Sequence, residues 1–242
     1  MAAEGRQIHS VWTRPQRRRR EQPALTRAQI VAEAVALLDT ESIEALSMRK
    51  LGARLNAGAT SLYTHVANKE ELIELVADAV FGELADPDPA DSRGWRAAIL
   101  DYAVGLRATI LRHPWLASIL GEVGTLYLGP NMMRGNEAIL TILEEAGFDM
   151  KAADHAMNVV FSYVVGIAMT EAASLTVVRR SGLSETEWFE KMWPAAEEAA
   201  RAYPRLHKRY VAQPASEVSK SRDESFEYEV GLILQGLAPT RR

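Results

Sequence analysis

Apolar residues recur along this chain at the spacing of helix faces, and no stretch shows the period-two alternation of a half-buried strand. Ile30, Ala34, Leu37 and Leu38 fall at i, i+4, i+7 and i+8. That spacing predicts a helix opening after Thr26, a competent N-cap, and running to about Thr40. A short second helix is expected from Met48 to Leu55 behind Ser47, another N-cap residue. Asn56-Ala57-Gly58 breaks the pattern with residue types that accept positive φ. A third short helix is expected from Ala59 to about His65. Asn68 then caps a fourth, on which Leu72, Leu75, Val76, Ala79 and Val80 share a face.

Asp86-Pro-Asp-Pro-Ala-Asp-Ser92 is a breaker, and helical spacing resumes beyond it. Helices are expected near 93–112, at 114–120 with Pro114 in the first turn, and at 131–146 up to Gly147, a good C′ residue. The segment 150–178 is apolar on too many sides for a surface helix. Its longest apolar run, Ala156 to Thr170, is shorter than the ~20 residues of a membrane span, so a buried helix is expected and no membrane. Ser184 with Glu187 makes a capping box for a helix at 185–201. Residues 202–221 read as irregular, and a last helix at 223–237 carries Phe226, Val230, Ile233, Leu234 and Leu237. The expected fold class is all-α.

Charge changes the picture more than composition does. The net charge is −4, yet residues 1–69 hold eleven Lys and Arg against six Asp and Glu, and the remainder is correspondingly acidic. A locally basic end suits a phosphate-facing surface whatever the total. Residues 1–24, with Arg17 to Arg20, read as a mobile basic arm that either adds phosphate contacts or is a solvated tail. These first residues lack the apolar core of a secretory signal. There is no cysteine, which excludes thiolate metal sites and cysteine nucleophiles and fits a cytoplasmic setting.

Two helices of about eight residues joined by a three-residue turn form a helix-turn-helix. With Leu51, Leu55 and Leu62 packed inward, the third helix turns Ala59, Thr60, Ser61, Tyr63, Thr64 and His65 outward. Small and hydrogen-bonding side chains of this kind fit a major groove and reach base edges. Ser47, Arg49, Tyr63 and Lys69 are the expected phosphate contacts. Tyr63 and His65 also suit packing at the core edge, and Arg49 and Lys69 suit a solvated surface.

The stretch Leu46 to Lys69, above all Leu62-Tyr-Thr-His-Val-Ala-Asn-Lys69 before the apolar helix from Leu72, resembles the DNA-binding domain of the tetracycline-repressor family. Asn56 departs from the glycine common there, but tolerates the same backbone region. Beyond the arm at 1–24, the resemblance implies a helix-turn-helix domain (25–70) and a helical effector-binding and dimerisation domain (71–242). It implies a homodimer binding a double-stranded DNA operator, released by a small apolar or amphipathic effector. The helices at 150–178 and 223–237 are apolar enough to form a four-helix interface between two copies, or an ordinary monomer core. Trp115, Met132, Met133, Met157, Asn158 and Phe161 are the expected effector contacts, with Trp188 and Trp193 as possible closures.

His113 and His155 are isolated, so no magnesium–tetracycline chelate, no metal and no cofactor are expected. His9, His65, His113, His155 and His207 form no His-Glu-x-x-His pattern, and neither a phosphate-binding glycine loop nor a Gly-x-Ser-x-Gly elbow is present. Enzyme chemistry is therefore not expected. The competing readings are a helical interaction module and a ligand-dependent activator.

Overall fold

The computed structural model describes residues 25–41, 43–123, 129–213, 215–218 and 221–239, and these are helical without a strand. The Arg17–Arg20 run lies outside the described residues.

Side-chain caps set the starts of the first helices. In α1 (Arg27–Thr40), Thr26 accepts the Gln29 N–H while the Gln29 side chain accepts the Thr26 N–H. A 3-10 turn (Ile43–Ala45) leads into α2 (Met48–Arg54), capped by Ser47 on the Lys50 N–H at 3.2 Å. α3 (Ala59–Leu62) is a single turn, and α4 (Lys69–Phe81) is capped by Asn68 on the Glu71 N–H at 2.7 Å. Ile30, Leu37, Leu51, Leu62, Leu72 and Val76 are wholly buried and tie α1 to α4 into one core. The third helix is shorter than its sequence indicates. The N–H groups of His65 and Val66 both return to the Leu62 carbonyl, so the chain tightens into a turn after Leu62.

Beyond the Asp86–Ser92 break lie α5 (Trp95–Arg112), α6 (Trp115–Val123), α7 (Pro130–Glu145) and α8 (Met150–Ser181). They are followed by α9 (Glu185–Ala200), α10 (Pro204–Ala212), α11 (Ala215–Val218) and α12 (Arg222–Gly236). α8 packs on α5, α6 and α7, α12 packs on α5, and α10 and α11 both pack on α9, which also meets α8. α4 packs on α1 and on α7, so it belongs to both halves of the molecule.

A further expectation needs correction. Residues 202–221 are not irregular: they hold α10 and α11. Pro204 pre-sets the first turn of α10, and Tyr210 meets the Trp193 ring edge-on at 5.0 Å. The Trp193 indole N–H also donates to the Tyr210 carbonyl at 3.2 Å. α8 runs through the expected segment for 32 residues, and by length and composition alone it could cross a bilayer. One face, with Ala153, Ala156, Val160, Val164 and Ala168, is buried in the core. Val159 and Val177 remain half exposed on the other side.

Candidate functional site

The helix-turn-helix depends on two backbone positions. Asn56, with φ of 50°, is the one non-glycine in the left-handed region among the described residues. A Cβ on Gly52 would lie 2.8 Å from the Ala57 carbonyl oxygen, so α2 meets the turn only where a side chain is missing. Leu62 seals α3 from behind. Thr60, Ser61, Tyr63 and Thr64 are left exposed, with Ala59 and His65 half-buried at the two ends. The Thr64 hydroxyl donates to the Ser61 carbonyl at 2.7 Å, which leaves its oxygen free to accept. Arg27 of α1 holds the far end, donating to the His65 carbonyl at 3.2 Å.

Ser47 and Arg49 are exposed at the start of α2. The Ser47 oxygen is taken up by the cap, but its proton is available to an acceptor such as a phosphate. Lys69 is half-buried, and its ammonium donates to the Ile43 carbonyl at 3.2 Å, closing the 3-10 turn onto α4. No local pattern in the sequence marks that 26-residue link.

A cavity of about 640 Å³ lies among α5, α7 and α8, with the ends of α4 and α12 completing its wall. Met132, Met157, Asn158 and Phe161 line it; Trp115 and Met133 do not. Trp115 is buried elsewhere, its indole N–H donating to Asp39 at 2.7 Å, because α6 turns it toward α1. Met133 is half exposed, one residue and hence about 100° around α7 from Met132. Trp188 and Trp193 also stay off the wall, in an edge-on aromatic series with Phe189 and Tyr210.

The wall includes residues that sequence reasoning passed over: Phe81, Trp95, Tyr102, Asn136 and Asp154. Trp95, Ile99, Tyr102 and Leu106 follow i, i+4, i+7, i+11 along α5, a stripe that core and cavity share. Burial, reinforced by the charge of Asp86, pushes the Tyr102 hydroxyl up to about 12. It therefore remains an uncharged donor at any physiological pH.

Residues 30–76 match the bacterial regulatory proteins of the tetR family, and residues 88–241 match the tetracyclin repressor-like C-terminal domain. The chain belongs to the tetracycline-repressor family. It is 40% identical over 166 residues to an HTH-type transcriptional regulator of Saccharopolyspora erythraea, covering 67% of this chain and 68% of that one. It is 35% identical over 184 residues to the HTH-type transcriptional repressor DrrR1 of Streptomyces coeruleorubidus, covering 75% and 67%. The crystal structure of Streptomyces coelicolor ActR with actinorhodin superposes with a TM-score of 0.73 at 29% identity, over 89% of this chain and 96% of ActR. As a tetracycline-repressor family member, the chain is a DNA-binding transcriptional regulator and not an enzyme.

In this tetracycline-repressor family member, two polar joints tie the helix-turn-helix end to the cavity end. The first is on α4. The Asp78 carboxylate accepts the backbone N–H groups of Asn131 at 2.9 Å and Met132 at 3.2 Å, capping α7 from another helix. The second joins α1 to the α5–α6 corner. Buried His113 places Nδ1 2.6 Å from Asp39 and Nε2 3.2 Å from Glu83, and Asp39 also receives Trp115. Glu83 pairs further with Arg112 at 2.9 Å.

Proposed function

We propose that the protein is a dimeric repressor that holds a palindromic operator until a small amphipathic molecule enters the cavity and releases it. Within that reading, Thr60, Ser61, Thr64 and Ala59 face base edges, while Ser47, Arg49, Tyr63 and Lys69 face phosphates, with His65 at the groove edge. Residues 25–70 make the DNA-binding unit and 71–242 the effector and dimer unit, α4 straddling the two. The setting is the cytoplasm, where the DNA is.

One observation carries the reading: α4 has Lys69 beside the helix-turn-helix at one end and Phe81 in the cavity wall at the other. Thirteen helical residues separate these ends by about 18 Å. A ligand that pushes on Phe81 or on Met132 therefore moves a rigid rod that also bears on α1. Operator binding needs both recognition segments in major grooves ~34–36 Å apart or a multiple of that spacing. An effector that prefers another spacing weakens operator affinity by the same coupling factor. ActR binds actinorhodin and DrrR1 is a repressor, which supports both halves of the proposal.

The test is fluorescence anisotropy of the full chain on duplexes tiled across the promoters flanking its gene. One duplex should bind with Kd of about 10 nM or tighter, and affinity should fall steeply with salt. Failure to bind any duplex at low ionic strength removes the proposal.

A further inference from the structure

The wall of the cavity is asymmetric in charge. Among the described residues that line it there is one carboxylate, Asp154, and no lysine, arginine or histidine. The guanidinium nearest by sequence is already committed. Arg96 lies over the ring of Trp95 at 4.2 Å and donates to the carbonyls of Leu234 and Leu237, where the C-terminal end of α12 presents unsatisfied oxygens. Arg107, further along α5, is held by Glu171 and Asp223. An anion entering this space would meet no counter-charge, and burying an unpaired carboxylate is strongly unfavourable.

The uncharged polar residues of the wall are Tyr102 on α5, Asn136 on α7, and Asn158 and Ser162 on α8. The Tyr102 hydroxyl and the Asn136 amide have no hydrogen-bond partner among the described residues. Both are half-buried at least, and each can donate and accept. Asp154 sits on the exposed part of α8, without an ion pair among the described residues, and its backbone carbonyl accepts the Asn158 amide. The cavity thus has unpartnered neutral donor–acceptor residues on α5 and α7, further uncharged polar residues on α8, apolar surface from Phe81, Trp95 and Phe161, and a negative rim.

We propose that the effector is an uncharged or singly cationic amphiphile, its polar edge on Tyr102 and Asn136 and any positive end at Asp154, and that anions of the same shape are rejected. The proposal rests on the reading of this cavity as the effector site and deepens it with a charge class.

Three probes on one tricyclic frame test it: aminoacridine, a cation; acridone, uncharged; and acridine carboxylate, an anion. Each is titrated into the full-length protein without DNA, following quenching of tryptophan emission, to which Trp95 contributes. Aminoacridine and acridone should bind, and the carboxylate should bind at least about tenfold more weakly than either. Asp154→Asn should weaken aminoacridine about threefold to fivefold, as expected for a rim charge, and leave acridone unchanged. Carboxylate binding equal to that of the cation would overturn the proposal, as would an Asp154→Asn effect of the same size on all three probes. Operator anisotropy, run in parallel on the same preparation, separates the two levels. Operator binding with an anion-preferring cavity sinks the charge class alone, whereas absence of operator binding sinks the regulator reading.

Discussion

Asp78 on α4 and Asn131 on α7 hold each other by three hydrogen bonds: the Asn131 N–H to the Asp78 carboxylate at 2.9 Å, and the Asn131 amide to both the carboxylate and the carbonyl of Asp78 at 3.0 Å. α7 has no side-chain cap of its own, because its N-cap residue is Gly129. A Cβ on Gly129 would fall 2.2 Å from the Asp78 carboxylate, so the glycine is what lets α4 supply the cap. Asp78→Ala should cost about 1–2 kcal/mol in urea unfolding, the usual worth of an N-cap. It should also speed hydrogen exchange at the first amides of α7. Gly129→Ala should cost a similar amount. The double variant should be markedly less destabilised than the sum, since both changes remove one interaction. Full additivity would show that the two residues act separately.

The second joint makes a different prediction. Asp39 accepts from both the Trp115 indole N–H and the His113 side, and His113 is buried. Asp39→Ala leaves buried polar groups without a partner and should cost about 2 kcal/mol or more. Asp39→Asn keeps an acceptor for Trp115 and should cost less. Urea denaturation with tryptophan emission as the probe measures both, because Trp115 itself reports the loss. An alanine variant as stable as the parent would mean that the joint does not hold α1 to the α5–α6 corner.

The parts of the fold governed by neighbours in sequence are legible in the chain itself. Thr26, Ser47, Asn68 and Ser184 cap as their residue types dictate. Gly147 takes φ of 95° and Asn56 φ of 50°. What escaped was set by distant partners. Asp78 and Asn131 are 53 residues apart, and Asp39 and His113 are 74 apart. Each of these four is unremarkable in its own window. Trp115 and Met133 have the composition of cavity residues, but which side of a helix faces the cavity is decided by how α6 and α7 pack. α10 is not legible in the sequence because its basic residues leave few apolar positions, and its partner face is the aromatic series of α9.

The helix-turn-helix predicts opposite outcomes at two neighbouring positions. Gly52→Ala puts a methyl group against the backbone of the turn, at 2.8 Å from the Ala57 oxygen and 3.3 Å from the Ala59 nitrogen. It should cost about 1–3 kcal/mol and lower operator affinity, because α3 is displaced relative to α2. Asn56→Gly fits the observed φ without strain and should change stability by less than about 0.5 kcal/mol. Thermal unfolding and operator titration of the two variants check the contrast.

Contacts to bases and to phosphates should separate by their sequence dependence. Thr60→Ala and Thr64→Ala should shift preference at individual base pairs by about 1–3 kcal/mol. Arg49→Ala should weaken all sequences alike and lower the salt slope by about one. Lys69→Ala should do the same and also destabilise the fold, because its ammonium bonds the Ile43 carbonyl. Binding-site selection on randomised duplexes, with salt titrations, distinguishes these outcomes. Sequence-blind losses at both threonines would remove them from base reading.

The face that a second copy should cover lies on α8 and α12. Val177, Leu232 and Tyr228 are each about half or more exposed, although they stand on helices whose opposite sides are wholly buried in the core. In a twofold interface every substitution occurs twice, so one carboxylate per chain places two in the same apolar seam. Leu232→Asp should therefore weaken self-association by at least about 100-fold, given the cost of burying an unpaired charge. The exposed position of Leu232 in the single chain means that the monomer should stay folded, as circular dichroism would show. Operator affinity should drop with dimerisation, since one recognition segment alone reaches only one half-site. Sedimentation velocity on the folded variant decides the matter: an undiminished dimer would place the contact between copies on another surface and leave the exposed apolar side of α8 and α12 without an occupant.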